Sequence, residues 1–477
     1  MKSGEQDGKL TKIVCTLGPS CKSLEQMKKL AQAGMNVARI NLSHGSRKDH
    51  EEAIAMIRKL NEAGYCVASL LDTRGAEIRT GVVIQPVPVE VGQEIVFSSN
   101  PQHEDAQGHT VIEVNYDGFA NDVRETDTIL IDNGSISFDI VSIAPDGTVV
   151  AKAKDAGFIG SRRHINLPGA YIDLPSITKK DWDDIDFGTQ QGVDYVALSF
   201  IRNAEEISEV RSFLKKKKSD MQIITKIETK RAAEENLADI IAVSDGIMIA
   251  RGDLGTDIPI EELPAIQDGI VVRCRDAGKP VIVATHMLES MSTYLLPTRA
   301  EVTDVAHAAM TGADATMLSG ETATGKHPVK CVEMMHRILR ATEEHEARLQ
   351  DRFEGVVHNE REARAQAAVT LAHSTDADAI VVITKSGRTA REVAKFRPRI
   401  PVIGCAATPS VRQKLSLIFG IFPVLASFTD DTEATIETGV TTAKQAGFLT
   451  PGMRVVLISD APAKKRNVST IQVREIT

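Results

Sequence analysis

The chain alternates between short apolar strand patterns and amphipathic helix patterns, and this alternation constrains the fold more than any other feature. Eight β-branched apolar runs have strand length, at residues 12–16, 35–42, 66–72, 194–200, 222–228, 246–251, 280–285 and 314–318. Helical patterns separate most of them, for example at residues 24–32, 50–62, 204–217 and 262–275. Strands that alternate with helices form parallel sheets. Eight such strands predict a (β/α)8 TIM barrel, and a doubly wound sheet with open edges is the alternative.

One interval, residues 73–167, breaks this rhythm. The helical period disappears there, and short alternating runs occur at residues 87–91, 94–97, 128–131, 136–143 and 149–153. Turn sequences such as Asp132-Asn133-Gly134 and Pro145-Asp146-Gly147 separate some of them. We expect a small, barrel-like β domain inserted after the third barrel strand. An insert at this point lies over the carboxyl ends of the barrel strands, so it is placed to act as a lid on the catalytic face.

A third segment begins after about residue 342. Its strand patterns at residues 379–384, 402–404 and 455–458 are separated by helices, which predicts an open α/β domain. We therefore divide the chain into the barrel (1–72 with 168–342), the lid (73–167) and a C-terminal domain (343–477).

A polar turn follows the first strand of the C-terminal domain and leads into a helix. Its candidate binding residues are Thr384, Lys385, Ser386, Arg388 and Thr389. Backbone N–H groups and a helix N-terminus can face an anion in such a turn, which predicts an effector phosphate site. The alternative is a capped helix start without a ligand.

Composition and charge exclude several classes of function. The net charge of −9 and the 4% aromatic content argue against binding to nucleic acid or to an acidic membrane surface. No apolar run approaches the ~20 residues of a membrane helix, and the polar start has no signal-peptide pattern. The six cysteines form no C-x-x-C pair, which predicts buried free thiols. The expected location is cytoplasmic.

Two short strings close neighbouring strands, Lys226-Ile227-Glu228 and Arg251-Gly252-Asp253. Residues two apart on a strand point to the same face, so Lys226 and Glu228 project together. Carboxylates at adjacent strand ends suit Mg²⁺, which takes its other ligands from substrate oxygens and water. A lysine beside that metal suits a phosphate or an enolate. The alternative is two ordinary strand ends with a surface ion pair.

Other polar residues also fall at the carboxyl ends of predicted barrel strands. Four of them supply oxygen donors with one formal charge between them: Asn41, Ser43, Asp72 and Thr73. A weakly charged set of this kind suits a monovalent cation better than a second Mg²⁺. Arg39 and Arg79 carry the planar guanidinium that matches phosphate. Thr285 closes the seventh strand, and Ser319 follows the eighth.

Residues 320–326 have the spacing of a nucleotide-binding P-loop. The next residue is His327, where the P-loop needs Ser or Thr to hold magnesium. We therefore interpret this segment as a turn after the last barrel strand.

These motifs together closely resemble the pyruvate kinase family over nearly the whole chain. The resemblance is carried by residues 11–19, 41–45, 223–228, 245–255, 297–301 and 317–323. It implies a barrel, an inserted lid and a C-terminal effector domain. The implied reaction is phosphoryl transfer from phosphoenolpyruvate to ADP, giving ATP and pyruvate in the last step of glycolysis. A homotetramer and regulation by a phosphorylated sugar or nucleotide are also implied.

The resemblance implies roles for the residues around Lys226. Glu228 and Asp253 would hold Mg²⁺ or Mn²⁺ between phosphoenolpyruvate and phosphate. Lys226 would stabilise the transferring phosphoryl group and the enolate, and Arg39 would contact the phosphate. Little covalent work is then left to the protein, because phosphoryl transfer depends on positioning and charge neutralisation.

The remaining site residues also take implied roles. The backbone N–H groups of Gly252 and Asp253, with Thr285, would hold the substrate carboxylate. Thr285 and Ser319 are candidates on the proton path to the enolate carbon. The implied K⁺ ligands are Asn41, Ser43, Asp72 and the carbonyl of Thr73. The implied nucleotide-binding residues are Arg79, His44 and Arg163.

Several positions depart from the family's usual pattern. Lys-Gly-Pro-Glu becomes Arg74-Gly75-Ala76-Glu77, and Lys-Lys-Gly-Val-Asn in the lid becomes Arg162-Arg163-His164-Ile165-Asn166. His286 stands for Gln, and Tyr294-Leu295-Leu296 for Asn-Pro-Arg. Residues 460–467 match the family's sugar-bisphosphate loop poorly. None of these changes removes a metal or phosphate ligand, so we expect activity.

Two other function classes remain open at this point. A barrel lyase or aldolase would also use Lys226, Glu228 and Asp253 to stabilise a pyruvate enolate, but it would not need Arg79 or the K⁺ ligands. A catalytically inactive sugar-phosphate sensor would act through the C-terminal domain, although the intact ligand set argues against it. ADP-dependent formation of pyruvate distinguishes the kinase from both.

Overall fold

The barrel begins near the start of the described part of the chain. The structure is a computed structural model that describes residues 8–477 except 101–107, 124–127, 133, 171, 173, 350–354 and 464–465. Its first elements are β1 (Lys12–Thr16), a 3-10 turn (Pro19–Cys21), α1 (Leu24–Ala33), β2 (Val37–Asn41), α2 (Arg47–Glu62) and β3 (Ala68–Asp72). Ser23 caps α1 by accepting a hydrogen bond from the Gln26 N–H. Gly34 ends this helix at a φ of +125°, a conformation that favours glycine.

The chain then enters the lid. Its elements are β4 (Val87–Val89), β5 (Glu94–Ser98), β6 (Thr110–Glu113), α3 (Phe119–Asp122), β7 (Thr128–Ile131), β8 (Ile136–Ile143), β9 (Val149–Ala153), β10 (Gly157–Ile159) and β11 (Ile165–Asn166). Six strands form one sheet in the order β11-β7-β8-β9-β5-β6, and β10 pairs with β4. The rings of Phe97, Phe119 and Phe138 pack together in its core. The sequence patterns predicted neither α3 nor the short strands β6, β10 and β11.

The second part of the barrel follows the lid. Its elements are α4 (Lys179–Gln190), β12 (Tyr195–Leu198), α5 (Ala204–Lys216), β13 (Gln222–Ile227), α6 (Lys230–Glu234), α7 (Leu237–Val243), β14 (Gly246–Ala250), α8 (Arg251–Asp257), a 3-10 turn (Ile260–Glu262), α9 (Leu263–Asp276), β15 (Val281–Ala284), a 3-10 turn (Glu289–Ser292), α10 (Arg299–Thr311), β16 (Ala315–Leu318), α11 (Gly320–Ala323) and α12 (Pro328–Leu349). The helix α11 lies where we expected a simple turn.

The eight predicted barrel strands close on themselves. Their order is β1-β16-β15-β14-β13-β12-β3-β2, and β1 pairs in parallel with both β16 and β2. Large apolar side chains, including Leu70, Ile224, Met248 and Ile282, are fully buried within one cluster of this sheet. The predicted TIM barrel is therefore confirmed, and the open-edged alternative is excluded.

The C-terminal part is an open α/β sheet. Its elements are α13 (Glu360–Ser374), β17 (Ala379–Thr384), α14 (Arg388–Lys395), β18 (Val402–Ala406), α15 (Pro409–Leu415), β19 (Ile421–Leu425), α16 (Thr432–Gln445), β20 (Arg454–Ala463) and β21 (Arg466–Glu475). The strand order is β19-β18-β17-β20-β21, with only β21 antiparallel. The sequence patterns missed β19 and β21. Helix α12 runs through residue 343, where we placed the start of this domain.

The C-terminal domain packs against the amino ends of the barrel strands. Lys12 at the start of β1 donates to the Ile421 carbonyl at 2.7 Å. Arg397 forms an ion pair with Asp314, just before β16, at 2.9 Å. This packing leaves the carboxyl ends of the strands to face the lid. Within the described part of the chain, no helix is both long and apolar enough to cross a membrane.

Candidate active site

Lys226, near the end of β13, lies at the centre of a buried charged cluster. Its Nζ is 2.7 Å from Glu228 Oε1 and 3.2 Å from Asp72 Oδ1. It also donates to Ser199 Oγ at 2.7 Å. Burial alone would lower the pKa of Lys226, but Asp72 and Glu228 raise it above the ordinary lysine value. Lys226 is therefore a permanent cation whose position is set from three strands.

Two carboxylates beside Lys226 lack full compensation by positive charge. Burial raises the pKa of Glu228 to about 7, although Lys226 opposes the shift. Burial likewise raises the pKa of Asp253, in the first turn of α8, against the opposing effect of Lys226. Glu228 Oε2 accepts a hydrogen bond from the Phe200 N–H at 2.5 Å. One lysine does not neutralise both carboxylates, so the pair offers oxygen ligands and net negative charge to a further cation.

Arg39 and Lys226 contact different carboxylate oxygens of Asp72. Arg39 Nε is 2.6 Å from Asp72 Oδ2, and its Nη1 donates to Thr16 Oγ1 at 2.9 Å. Burial would raise the pKa of Asp72, but Arg39 and Lys226 lower it below the ordinary value. The ionised Asp72 therefore holds two cations side by side at the end of the barrel.

The proposed K⁺ ligands lie on two adjacent strand ends. Asn41 of β2 is the register partner of Asp72 in β3. Asn41 Oδ1 accepts from the Ser43 N–H at 3.1 Å, and the Thr73 carbonyl accepts from Ser199 Oγ at 2.7 Å. Carbonyl oxygens have two lone pairs, and a carboxylate has about four acceptor positions. These oxygens therefore keep acceptor capacity beyond the bonds they make.

Thr285 and Gly252 contact each other across the ends of β15 and β14. The Gly252 N–H donates to Thr285 Oγ1 at 2.8 Å, and this hydroxyl donates to the Ala284 carbonyl at 2.6 Å. Thr285 and His286 have φ values of +70° and +54°. Non-glycine residues rarely adopt this region, and such strain is concentrated at functional sites.

Arg251 stabilises this strained turn by donating hydrogen bonds to its backbone. Its Nη2 donates to the Thr285 carbonyl at 2.6 Å, and the guanidinium donates to both carboxylate oxygens of Asp304 at 2.6 and 2.7 Å. On the next strand end, the Ser319 N–H donates to Glu321 Oε2 at 2.7 Å. Ser319 Oγ is buried without a hydrogen-bond partner among the described residues. A polar atom of this kind is expected to meet a ligand or a water.

The candidate nucleotide residues are not joined to each other. Arg79 Nε pairs with Glu77 at 2.7 Å, and Arg163 Nη1 lies 3.1 Å from Asp132 in the lid. His44 is exposed in the loop after β2. No hydrogen bond or ion pair connects these three residues within the described structure.

The candidate effector turn belongs to the C-terminal sheet rather than to the Lys226 cluster. Thr384 Oγ1 accepts from the Gly387 N–H at 3.0 Å. Gly387 has a φ of +80°, which turns the chain into α14. Lys385, Ser386 and Arg388 are exposed, and Thr389 follows in the first turn of α14. The side chains of residues 460–467, the segment that matches the family loop poorly, lie outside the described part of the structure.

Sequence patterns missed some residues that build the site. Ser199 contacts Lys226 and Thr73, and Phe200 contacts Glu228 through its N–H. Both follow β12, so extending the strand-end argument to the fourth barrel strand would have found them. His164 of the lid has its Nδ1 3.8 Å from Asp253 Oδ1. No sequence signal linked these two residues.

The chain is similar to known proteins over almost its full length. Residues 8–332 match the family described as the barrel domain of pyruvate kinase, and residues 362–474 match its alpha/beta domain. The chain is 39% identical to a pyruvate kinase from Bacillus licheniformis, with 97% of the chain and 80% of the relative covered. It is 38% identical to plastidial pyruvate kinase 2 of Arabidopsis thaliana, with 98% and 81% covered. A crystal structure of a pyruvate kinase from Cryptosporidium parvum superposes with a TM-score of 0.89 at 34% identity, covering 98% of this chain and 97% of the other.

Proposed function

The chain belongs to the pyruvate kinase family, which transfers the phosphoryl group of phosphoenolpyruvate to ADP, and we propose that the Lys226 cluster carries out this transfer. The observation that carries the assignment is Lys226 itself. It is a buried, charged lysine held between Asp72 and Glu228 at the carboxyl end of the barrel. A fixed cation at this position can stabilise the negative charge that develops on phosphoryl and enolate oxygens.

Glu228 and Asp253 are the residues that would hold Mg²⁺ or Mn²⁺. Their carboxylates have raised pKa values because they are buried with too little positive charge nearby. The described residues contain no group of three or more His, Cys, Asp or Glu side chains arranged to hold a metal. Two protein carboxylates fit a cation that takes its remaining ligands from substrate and water. When bound, the divalent cation would neutralise charge on the substrate oxygens.

Lys226 and Arg39 orient the phosphoryl group. Their shared partner, Asp72, keeps both cationic side chains directed to the same end of the barrel. Lys226 remains charged as the phosphoryl group leaves, so it also stabilises the enolate oxygen. Such preorganised charge needs no rearrangement during the reaction and is usually a large part of catalysis.

Gly252, Asp253 and Thr285 bind the substrate carboxylate. The N–H groups of Gly252 and Asp253 belong to the first turn of α8, where backbone donors lack partners within the helix. Thr285 Oγ1 accepts the Gly252 N–H, so carboxylate binding exchanges this contact for one to the substrate. Thr285 Oγ1 and Ser319 Oγ then relay a proton from water to the enolate carbon, each hydroxyl taking up a proton as it passes one on, which yields pyruvate.

Four oxygen donors on the ends of β2 and β3 would hold K⁺. They are Asn41, Ser43, Asp72 and the Thr73 carbonyl. Asp72 is the one charged donor of the four and also pairs with Arg39 and Lys226, so the set suits a weakly charged cation better than a divalent one. The pairing of Asn41 with Asp72 in the sheet register supports this assignment.

ADP and ATP bind between the barrel and the lid, with Arg79, His44 and Arg163 as contacts. Arg79 is held by Glu77, while Arg163 is about half exposed on the lid. Lid closure brings Arg163 toward the nucleotide phosphates and excludes water from the transfer.

Regulation acts through the C-terminal domain in this proposal. A phosphorylated sugar or nucleotide binds at the turn of Thr384, Lys385, Ser386, Arg388 and Thr389. The exposed charges of Lys385 and Arg388 support an anionic effector. The proposal also includes domain boundaries at residues 72/73, 167/168 and 342/343. It further includes a homotetrameric assembly and a cytoplasmic location. All six cysteines are free thiols, as expected of a reducing compartment.

The test is pyruvate formation from phosphoenolpyruvate with and without ADP. We expect strict dependence on ADP, with ATP formed in equal amount. Pyruvate release without ADP would favour the lyase alternative, and no turnover would favour the sensor. The same assay with a panel of sugar phosphates and nucleotides identifies the effector. The Arg388→Ala variant should lose that response while keeping its unstimulated rate.

A further inference from the structure

His164 is fixed on the lid at the point where the lid meets the barrel. It lies directly before β11 and forms an isolated antiparallel bridge with Arg79. Its carbonyl accepts the Asp132 N–H at 2.9 Å, and the next N–H, of Ile165, donates to Ile78 at 2.8 Å. These backbone contacts hold His164 in place within the lid, so its ring moves with the lid as a unit.

The imidazole of His164 lies near both carboxylates that would hold the divalent cation: it approaches Asp253 directly, and it packs on Phe200, which contacts Glu228. Its Nδ1 is 3.8 Å from Asp253 Oδ1, and its side chain is only 12% exposed. Its ring lies edge-on against Phe200, with 5.8 Å between ring centroids. The N–H of Phe200 in turn donates to Glu228 Oε2.

We propose that His164 is a positioning residue that couples lid closure to divalent-cation binding by donating a hydrogen bond from its Nδ1–H to Asp253. The inference rests on the proposed function of Asp253 as a metal ligand. The observed separation exceeds the ~2.7–3.2 Å of an N–H···O bond, so a lid movement of less than about 1 Å would form it. The other oxygen of Asp253 would stay available to the cation.

A hydrogen bond from His164 would act on cation binding through the ligand that it orients. Hydrogen-bond partners of metal-ligating side chains commonly change metal affinity by about 10–100-fold when removed. Coupling is also reciprocal: if the closed lid strengthens cation binding, the cation must favour the closed lid by the same factor.

The experiment measures Mn²⁺ binding to the full chain by electron paramagnetic resonance, without substrate. His164→Phe keeps a ring against Phe200 but removes the donor. His164→Asn restores an N–H donor at a similar position. His109→Ala is the matched control, because His109 also faces a lid carboxylate, Glu94, at 3.6 Å.

We expect Mn²⁺ to bind about tenfold more weakly to His164→Phe. Binding to His164→Asn and His109→Ala should stay within about threefold of the unchanged protein. Amide hydrogen exchange provides a second measurement. Mn²⁺ should slow exchange in β11 of the unchanged protein, and this protection should be lost in His164→Phe.

Several outcomes would overturn the inference. They are equal Mn²⁺ affinity in His164→Phe and the unchanged protein, an equal loss in His109→Ala, or no recovery in His164→Asn. Nitrogen hyperfine coupling to bound Mn²⁺ would make His164 a direct ligand instead. Failure of the proposed function has a different signature: Asp253→Ala would then bind Mn²⁺ as tightly as the unchanged protein.

Discussion

The two ends of the barrel both bury charged side chains, but protein donors satisfy the buried carboxylate at one end more fully than the groups at the other. At the amino end, Asp314 accepts two bonds from Arg397 and one each from the backbone N–H groups of Val281 and Phe419. At the carboxyl end, Ser319 Oγ has no partner among the described residues, and Thr285 has strained backbone angles. Protein donors satisfy the Asp314 carboxylate, although Arg397 Nε has no hydrogen-bond partner among the described residues. The carboxyl end differs because it combines an unpaired hydroxyl with a strained turn, and this combination indicates a place for a ligand.

Two buried lysines, Lys226 and Lys12, also differ between the two ends. Carboxylates flank Lys226 and raise its pKa above the ordinary value despite burial. Lys12 is equally buried at the other end, where burial and the nearby Lys9 lower its pKa to about 7. Its Nζ contacts the Ile421 carbonyl and lies 4.5 Å from the ring centroid of Phe422. Lys226 is thus kept as a permanent cation, as its proposed role requires, while Lys12 joins two domains.

The sharpest test of this contrast exchanges each lysine for methionine. Lys226→Met should lower kcat by about 10³-fold, because the phosphoryl group and the enolate lose their fixed cation. Substrate affinity should change less, since Arg39 and the metal ligands remain. Lys12→Met is the matched control and should keep kcat within about threefold. Steady-state kinetics with phosphoenolpyruvate and ADP measures both. A Lys226→Met variant that fails only in substrate binding would contradict the assigned role.

Removal of Asp253 should have the next largest effect. Asp253→Ala deletes one of two carboxylates for the divalent cation, and we expect kcat/KM to fall at least about 10²-fold at saturating Mg²⁺. The measurement is the same assay over a range of Mg²⁺ concentrations. Near-normal turnover at high Mg²⁺ would remove Asp253 from the site.

The K⁺ requirement is a smaller effect at the same end of the barrel. Activity in Na⁺ or tetramethylammonium buffer should be at least about tenfold lower than in K⁺, because a large charge stabilisation is lost. Glu77→Lys should weaken the requirement, since a fixed ammonium group can replace the ion electrostatically. Glu77 also accepts from Arg74 and Arg79, so this variant disturbs that pairing. Equal rates of the unchanged protein with and without K⁺ would exclude a working cation site.

At the amino end, a lost charge should affect stability rather than catalysis. Asp314→Ala leaves the buried Arg397 without its carboxylate, and we expect the free energy of unfolding to fall by about 3–5 kcal/mol. At 20 °C, kcat/KM should stay within about threefold. Urea unfolding followed by fluorescence, together with the kinetic assay, checks both parts. Unchanged stability, or a loss of activity in fully folded protein, would break the contrast between the two ends.

The smallest expected effect is a pH dependence at the amino end. Burial raises the pKa of Asp194 from 3.8 to about 6, against hydrogen bonds from Ser69. The folded protein therefore holds this proton more tightly than the unfolded chain. Its contribution to stability is complete below pH 4 and is lost as the pH rises through 6, by about 3 kcal/mol.

Asp194→Asn removes that titration. Between pH 4.5 and 7.5, the free energy of unfolding should therefore decline less in the variant than in the unchanged protein, by about 2 kcal/mol. Urea unfolding at several pH values measures this difference. Parallel pH profiles for the two proteins would show that Asp194 does not titrate in this range.

Local patterns were enough to predict the barrel and most of its catalytic end. Strand and helix periods are properties of consecutive residues, and all eight barrel strands were recognised from them. Because the carboxyl ends of parallel strands meet at one end of a barrel, Lys226, Glu228 and Asp253 could be placed together without coordinates. Residue types at those strand ends, with the family resemblance, then indicated the chemistry.

Contacts between distant segments could be identified only from the tertiary structure. The short strands β10 and β11 contain too few residues to show a period, and they are defined by hydrogen bonds to β4 and β7. The approach of His164 to Asp253 depends on how the lid sits on the barrel. The pKa values of Lys226 and Lys12 differ because burial and neighbouring charges, which only the folded chain provides, act on identical side chains.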